Sequence, residues 1–226
     1  MTNKIIVLDT ETCNIVPTDK VLPHNNLPYD IGYALVEPAT GKILKRESCV
    51  VREIFFGEHE RMKSAYYADK LPQYYRDIAA NKRVVKSFFE IMMDISTLCK
   101  QEKVVAICAH NARFDVDALN TCAEWLTGYR VKALPAGVEI WDSMKMWTAC
   151  KPKKYSTFCE SNEYKTKHKP PRDRLTAEII YRFLVNDVSF TESHTALEDV
   201  EIETAIVLAC YRSHKPMATA RVLYHV

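Results

Sequence analysis

The sequence predicts a mixed α/β domain built on an open sheet. Three observations carry that prediction. Short apolar, β-branched runs recur at residues 4–8, 30–36 and 104–108, with the length and composition of buried strands. Helical periodicity follows them, at residues 84–98, 113–126 and 195–211. Acids stand where two of the runs end, at Asp9 and, past a His110-Asn111 turn, at Asp115. Open α/β sheets place their sites at such strand ends.

Residues 4–8 read as a buried strand that delivers Asp9. Residues 30–36 read as a second strand. Pro38-Ala39-Thr40-Gly41-Lys42 supplies turn chemistry, and strand character resumes over 43–54. The opening is therefore an antiparallel meander. From 55 to about 83 the texture changes: Phe55, Phe56, Tyr66, Tyr67, Tyr74 and Tyr75 stand among many charges. This stretch is expected to be a helical, partly exposed elaboration. Over 84–98, Val85, Phe88, Phe89, Met92 and Ile95 share one helical face. Residues 138–141 read as a weaker strand, with Asp142-Ser143 starting another helix. Residues 151–174 are polar, basic and proline-bearing, and read as a loop or small flexible subdomain. Two helices, over 175–184 and 195–211, close the chain.

A length of 226 residues fits one domain with its own core. With 47% hydrophobic residues the chain has enough apolar surface to fold, which excludes a disordered chain. A net charge of +2 excludes a basic nucleic-acid coat, so any contact with a polyanion must be local. No stretch is long and apolar enough to span a bilayer. The apolar run at 4–8 is too short for a signal-peptide core and ends in an acid, so a cytoplasmic protein is expected. The eight cysteines contain no C-x-x-C pair and lie in periodic segments, which favours reduced, mostly buried thiols.

Four segments carry candidate chemistry. In Asp9-Thr10-Glu11-Thr12, residues two apart on a strand point the same way, so Asp9 and Glu11 aim two carboxylates at one place. A divalent cation would relieve their repulsion; the plainer alternative is a turn with solvated acids. In His110-Asn111-Ala112-Arg113-Phe114-Asp115, Asp115 stands in the first turn of a helix, where the dipole alone would favour an acid. Asp117 reads as an exposed helix residue. In His194-Thr195-Ala196-Leu197-Glu198-Asp199, a histidine of ordinary pKa near 6.5 suits proton transfer at neutral pH. Asp199 reads as inward, with Glu198 and Glu201 solvated. The fourth segment is basic: Lys151, Lys153, Lys154, Lys165, Lys167, Lys169, Arg172 and Arg174, interleaved with Tyr155, Phe158 and Tyr164. Such a mixture steers polyanions and stacks bases, and it also describes a solvated loop.

Asp9-Thr10-Glu11-Thr12, His110-Asn111-x-x-Phe114-Asp115 and His194-x-x-x-x-Asp199 together resemble the three motifs of the DEDDh 3′→5′ exonuclease superfamily. That superfamily includes the proofreading subunit of bacterial replicative DNA polymerase and RNase T. The motifs are in the family's order and span almost the whole chain. The middle and C-terminal segments also resemble exonucleases of bacteriophages, which would place the protein in a host cytoplasm. The resemblance implies a ribonuclease H-like fold, a mixed sheet of about five strands flanked by helices. It implies one exonuclease domain over 1–226, elaborated at about 55–83 and 151–174. It also implies two divalent cations, Mg2+ or Mn2+, about 3.5–4 Å apart. Asp9 would bridge them, Glu11 and Asp199 would complete the nucleophile side, and Asp115 would hold the second ion directly or through water. His194 would take the proton of the attacking water, and Thr12 would contact the terminal nucleotide. Cys13-Asn14 departs from the Thr-Gly often found there in relatives, which puts substrate choice in doubt.

The expected partner is the 3′ end of a nucleic acid, with single-stranded DNA or 3′ overhangs favoured over RNA, and room for a replication or repair partner. Trimming of RNA 3′ ends is the nearest alternative. A binding module that has lost catalysis is another, although all five chemical positions are filled. A third reading makes Cys150, Cys159 and His168 structural zinc ligands, at a spacing that matches no familiar finger.

Overall fold

The alternation along the first strand sorts the core into two layers. In the computed structural model, which describes residues 3–14, 26–63, 65 and 67–213, β1 (Lys4–Asn14) lies inside the sheet. Ile6 and Leu8 join one apolar cluster, and Ile5 and Val7 join the other. A strand covered on both faces needs apolar residues at every position, as the 4–8 run supplies. Asp9 and Glu11 continue the Ile5-Val7 side, so strand periodicity sets their direction.

β2 (Asn26–Glu37) pairs antiparallel with β1, and β3 (Lys42–Val51) antiparallel with β2. Gly41, at φ +74°, makes the turn between them. β4 (Val84–Lys86) runs parallel to β3, β5 (Val104–Ala109) parallel to β1, and β6 (Glu139–Asp142) parallel to β5. Among the described residues the sheet has six strands, in the order β4-β3-β2-β1-β5-β6. The expectation of five corrects to six because β4 has only three residues. Their Val-Val-Lys lies next to a helical face that Val85 also fits.

The helices are α1 (Arg52–Phe55), α2 (His59–Lys63), α3 (Leu71–Ala79), α4 (Phe88–Glu102), α5 (Arg113–Thr127), α6 (Ser143–Cys150), α7 (Lys153–Ser161), α8 (Ala177–Val185) and α9 (Ala196–Arg212). Ser87 and Glu90 form a capping box that starts α4 three residues after β4 opens. Phe55, Tyr74, Phe88, Ile91 and Leu119, from α1, α3, α4 and α5, pack on the Ile6-Leu8 face. Trp147, Tyr155, Ile180 and Val200, from α6 to α9, pack on the other.

Two expectations change. The stretch 55–83 is helical but not merely peripheral: Phe55 and Tyr74 are fully buried and pack against Tyr29 of β2, while Phe56 and Tyr75 are exposed. Tyr66 lies outside the described residues. The segment 151–174 is not a plain loop. It holds α7, anchored by Tyr155 and Cys159 one turn apart, and then a short hairpin closed by the Lys165–Asp173 bridge. No helix among the described residues is long and apolar enough to cross a membrane. None of the eight cysteines forms a disulfide, and only Cys150 is partly exposed.

Candidate active site

Asp9, Glu11 and Asp199 converge: each offers a carboxylate oxygen within 4.8 Å of the others. Two of them come from β1. The third comes from α9, whose N-terminus lies backbone to backbone on β2. A Cβ on Gly32 would stand 2.3 Å from the carbonyl oxygen of Ala196, far inside contact distance. Gly32 is also the ladder partner of Asp9. Only a residue without a side chain lets the first turn of α9 descend there, and Asp199 follows three residues later. A register shift between Glu11 and Thr12 interrupts the regular ladder just past the second acid, and pairing resumes with Thr12 opposite Pro28.

Asp115 arrives from the opposite layer. It is buried, and its Oδ1 accepts hydrogen bonds from the Thr10 amide (3.1 Å) and the Thr10 hydroxyl (2.8 Å). Thr10, between the two acids of β1, points to the α5 side and fixes this carboxylate. Asp115 is thus outside the three-oxygen cluster, though its charge acts on Asp9.

Burial and mutual repulsion dominate the electrostatics. In the absence of a cation, burial first, then repulsion from Glu203, Asp115, Glu11 and Asp199, pushes Asp9 well above the carboxylate range. Burial pushes Glu11 up to about 8, Asp199 to about 9 and Asp115 to about 7. The Glu11 and Asp199 carboxyls lie close enough to share a proton when no cation is bound. The Oδ1 of Asp199 is buried with no hydrogen-bond partner, which is costly for a polar atom unless something outside the protein meets it. An all-oxygen donor set with an orphaned oxygen fits a hard divalent cation.

His194 stands two residues before α9, in the left-handed region at φ +54°. Its ring stacks on Tyr67 (centroids 4.3 Å apart, planes at 13°), and its Nδ1 is 3.8 Å from Glu192. Burial lowers its pKa from the ordinary value, so the ring is neutral and able to accept a proton near pH 7. Thr12 is half-buried opposite Pro28 on β2.

Sequence reasoning missed Glu203, on the face of α9 one turn after Asp199. It is buried, accepts from the His110 amide (3.1 Å), and is the largest charge acting on Asp9. The i, i+4 spacing of Asp199 and Glu203 is the signal that was present. The Glu198 side chain is 44% exposed, and it also bonds the Thr195 hydroxyl and the Arg83 guanidinium (3.1 Å). Glu201 is exposed and pairs with Arg46. Asp117 is exposed and pairs with Arg113. Cys150, Cys159 and His168 do not assemble a metal site. Cys159 is buried among aromatics, Cys150 faces Cys210, and His168 is exposed. Among the described residues the acidic trio is the only such cluster.

Neither a protein-family model nor a curated protein sequence matches this chain. Solved structures do. The chain is similar to a 3′-exonuclease solved in specific recognition of the 3′ end of the histone mRNA stem-loop (13% identity, 94% of this chain and 83% of that one, TM-score 0.62). It is similar to the nuclease domain of 3′hExo, a DEDDh family member, bound to rAMP (14% identity, 94% of each chain, TM-score 0.59). It is also similar to Escherichia coli ExoI in a zinc-bound complex with single-stranded DNA (12% identity, TM-score 0.52). There, 96% of this chain matches 42% of the longer ExoI chain. The chain has the mixed α/β fold of DEDDh-type 3′-exonuclease domains.

Proposed function

We propose that the protein is a metal-dependent 3′→5′ exonuclease that releases nucleoside 5′-monophosphates from single-stranded ends. The observation that carries this reading is the convergence of Asp9, Glu11 and Asp199, with a buried unpartnered oxygen. Asp9, Glu11 and Asp199 would hold one divalent cation, and Asp9 with Asp115 a second. Bound cations supply positive charge at the scissile phosphate and the leaving oxygen.

The chain's own residues do the rest. Thr10 holds Asp115 in place through two donors. Glu203 fixes the turn that leads from β5 to α5 by accepting from the His110 amide. His194 accepts the proton of the attacking water, and Tyr67 limits the tilt of its ring. Thr12 meets the terminal nucleotide. The phage-like character of the sequence favours DNA. An RNA 3′ end is the second reading, supported by the two neighbours of higher TM-score, solved with an mRNA stem-loop and with rAMP.

The test is degradation of 5′-labelled DNA and RNA oligonucleotides of matched sequence, with Mg2+, with Mn2+ and with EDTA. A one-nucleotide ladder shrinking from the 3′ end and absent in EDTA is expected. His194→Ala should slow it by about 10²–10⁴-fold and remove the loss of rate at acid pH. Full activity in EDTA, or internal cleavage, would overturn the proposal.

A further inference from the structure

The hairpin after α7 is held far more firmly than its composition requires, and what it presents is almost purely cationic. Its backbone ladder runs from the Arg174 amide to the Tyr164 carbonyl (2.9 Å) and from the Thr166 amide to the Arg172 carbonyl (2.8 Å). At its base, Asp173 has a side chain only 8% exposed. It accepts from Lys151, Lys165 and the Ser156 hydroxyl, each at 2.7 Å. Those donors hold its carboxyl well below the usual carboxylate range, against the effect of burial. The Tyr155 hydroxyl donates to the Arg174 carbonyl (2.6 Å), tying the hairpin to the core.

One acid therefore consumes two lysines of the segment and leaves the tip without a counter-charge. Between Thr166 and Arg172 there is no Asp or Glu, and Lys167, Lys169 and Arg172 are exposed. Pro170 and Pro171 stiffen the same stretch. Lys153 and Lys154, also exposed, stand in the first turn of α7, where a helix dipole disfavours cations. A fold that gathers cations where local electrostatics resist them is arranged for an anion from outside.

The position of the hairpin says which anion. It leads into Leu175, whose carbonyl lies 2.6 Å from the His110 ring nitrogen Nε2. His110 follows β5 directly, at the same end of the sheet as Asp9, and its amide is bound by Glu203. The cationic tip thus springs from the rim of the acidic cluster. From these placements we infer that the 164–174 hairpin is a backbone track for single-stranded nucleic acid. Lys167, Lys169 and Arg172 contact phosphates upstream of the terminal nucleotide, without reading base or sugar. This rests on the proposed exonuclease reading for its geometry, but it concerns binding alone.

The experiment is fluorescence anisotropy of the full chain with labelled dT20 and rU20 in EDTA, over a series of salt concentrations. Because no hydrolysis is needed, its outcome is independent of whether the protein is an exonuclease. The K167S/K169S/R172S variant should bind both strands at least about tenfold more weakly at low salt. Its plot of log affinity against log salt should be shallower by about 2, from roughly 0.7 per lost phosphate contact. K167R/K169R should bind like the wild type, since charge rather than shape is used. Unchanged affinity and slope in the serine variant would overturn the inference. Weakening confined to dT20 or to rU20 would also overturn it, because the hairpin would then be reading the sugar or base rather than the phosphates.

Discussion

Glu11 and Asp30 are ladder partners across β1 and β2. Both are buried, yet their surroundings are opposite. Asp30 is ringed by donors: the Tyr74 hydroxyl at 2.7 Å, the Arg83 guanidinium at 2.9 Å, the Ser48 hydroxyl at 3.1 Å and the Ala196 amide at 3.3 Å. Glu11 has Asp9 and Asp199 for neighbours. Burial pushes both carboxyls up, but at Asp30 Arg83 and the hydroxyls pull back, whereas around Glu11 most of the neighbouring charge is of its own sign. Within one pair of strands the fold neutralises one acid internally and leaves the other waiting for a charge from solution. The first arrangement stabilises a structure; the second prepares a site and strains it.

The largest expected effect is at the unpaired acids. Asp9→Ala should abolish hydrolysis and eliminate the heat of Mg2+ binding in calorimetry. The metal-free variant should melt no lower than the wild type, and higher if repulsion outweighs the lost packing. A large fall in Tm would erase the contrast, because Asp9 would then be structural.

Arg83 should show the reverse signature. Its side chain is 2% exposed and meets Asp30, Asp77 and Glu198. Arg83→Met should cost about 3–5 kcal/mol in urea unfolding, because it strands a buried Asp30. Arg83→Met combined with Asp30→Asn should recover part of that. A loss below about 1 kcal/mol would mean that Asp30 is no better compensated than Glu11.

The most diagnostic effect is on the pH dependence of stability. Without metal, Asp115, Glu11 and Asp199 are pushed up to about 7, 8 and 9, while unfolded carboxyls titrate near 4. Between roughly pH 4 and 9 the folded chain therefore holds protons that the unfolded chain has released. Stability contributed by these groups must fall as pH rises through that window. Tm in EDTA should decline from about pH 5 to 9, and Mg2+ should raise it most at the alkaline end. A Tm that climbs with pH, with no added benefit from Mg2+, would show these acids to be paired like Asp30.

Much of the site was legible because strand periodicity is unforgiving: Asp9 and Glu11 had to share a side, and the motif spacing put Asp199 on the first turns of a helix. The Asp30–Arg83 network was not legible. Its members are 53 residues apart in the chain, and neither carries a local pattern that announces a partner. α7 was hidden by its polarity, since only Tyr155 and Cys159 of its nine residues are buried. β4 was hidden by brevity. Glu203 was hard to read because an acid on a helix is usually solvated, and only its i, i+4 spacing from Asp199 marks the inward face.

Gly32 makes the separation between β1 and α9 a matter of hard contact rather than of packing quality. Backbone rests on backbone there, so the spacing of Asp9 and Asp199 has a mechanical stop. Core substitutions that loosen the layers elsewhere, such as Ile206→Ala further along α9, can lower the melting point without changing the spacing of the acidic trio. The site should therefore keep its metal preference across variants that differ widely in robustness, and lose it abruptly when the stop itself is altered by Gly32→Ala.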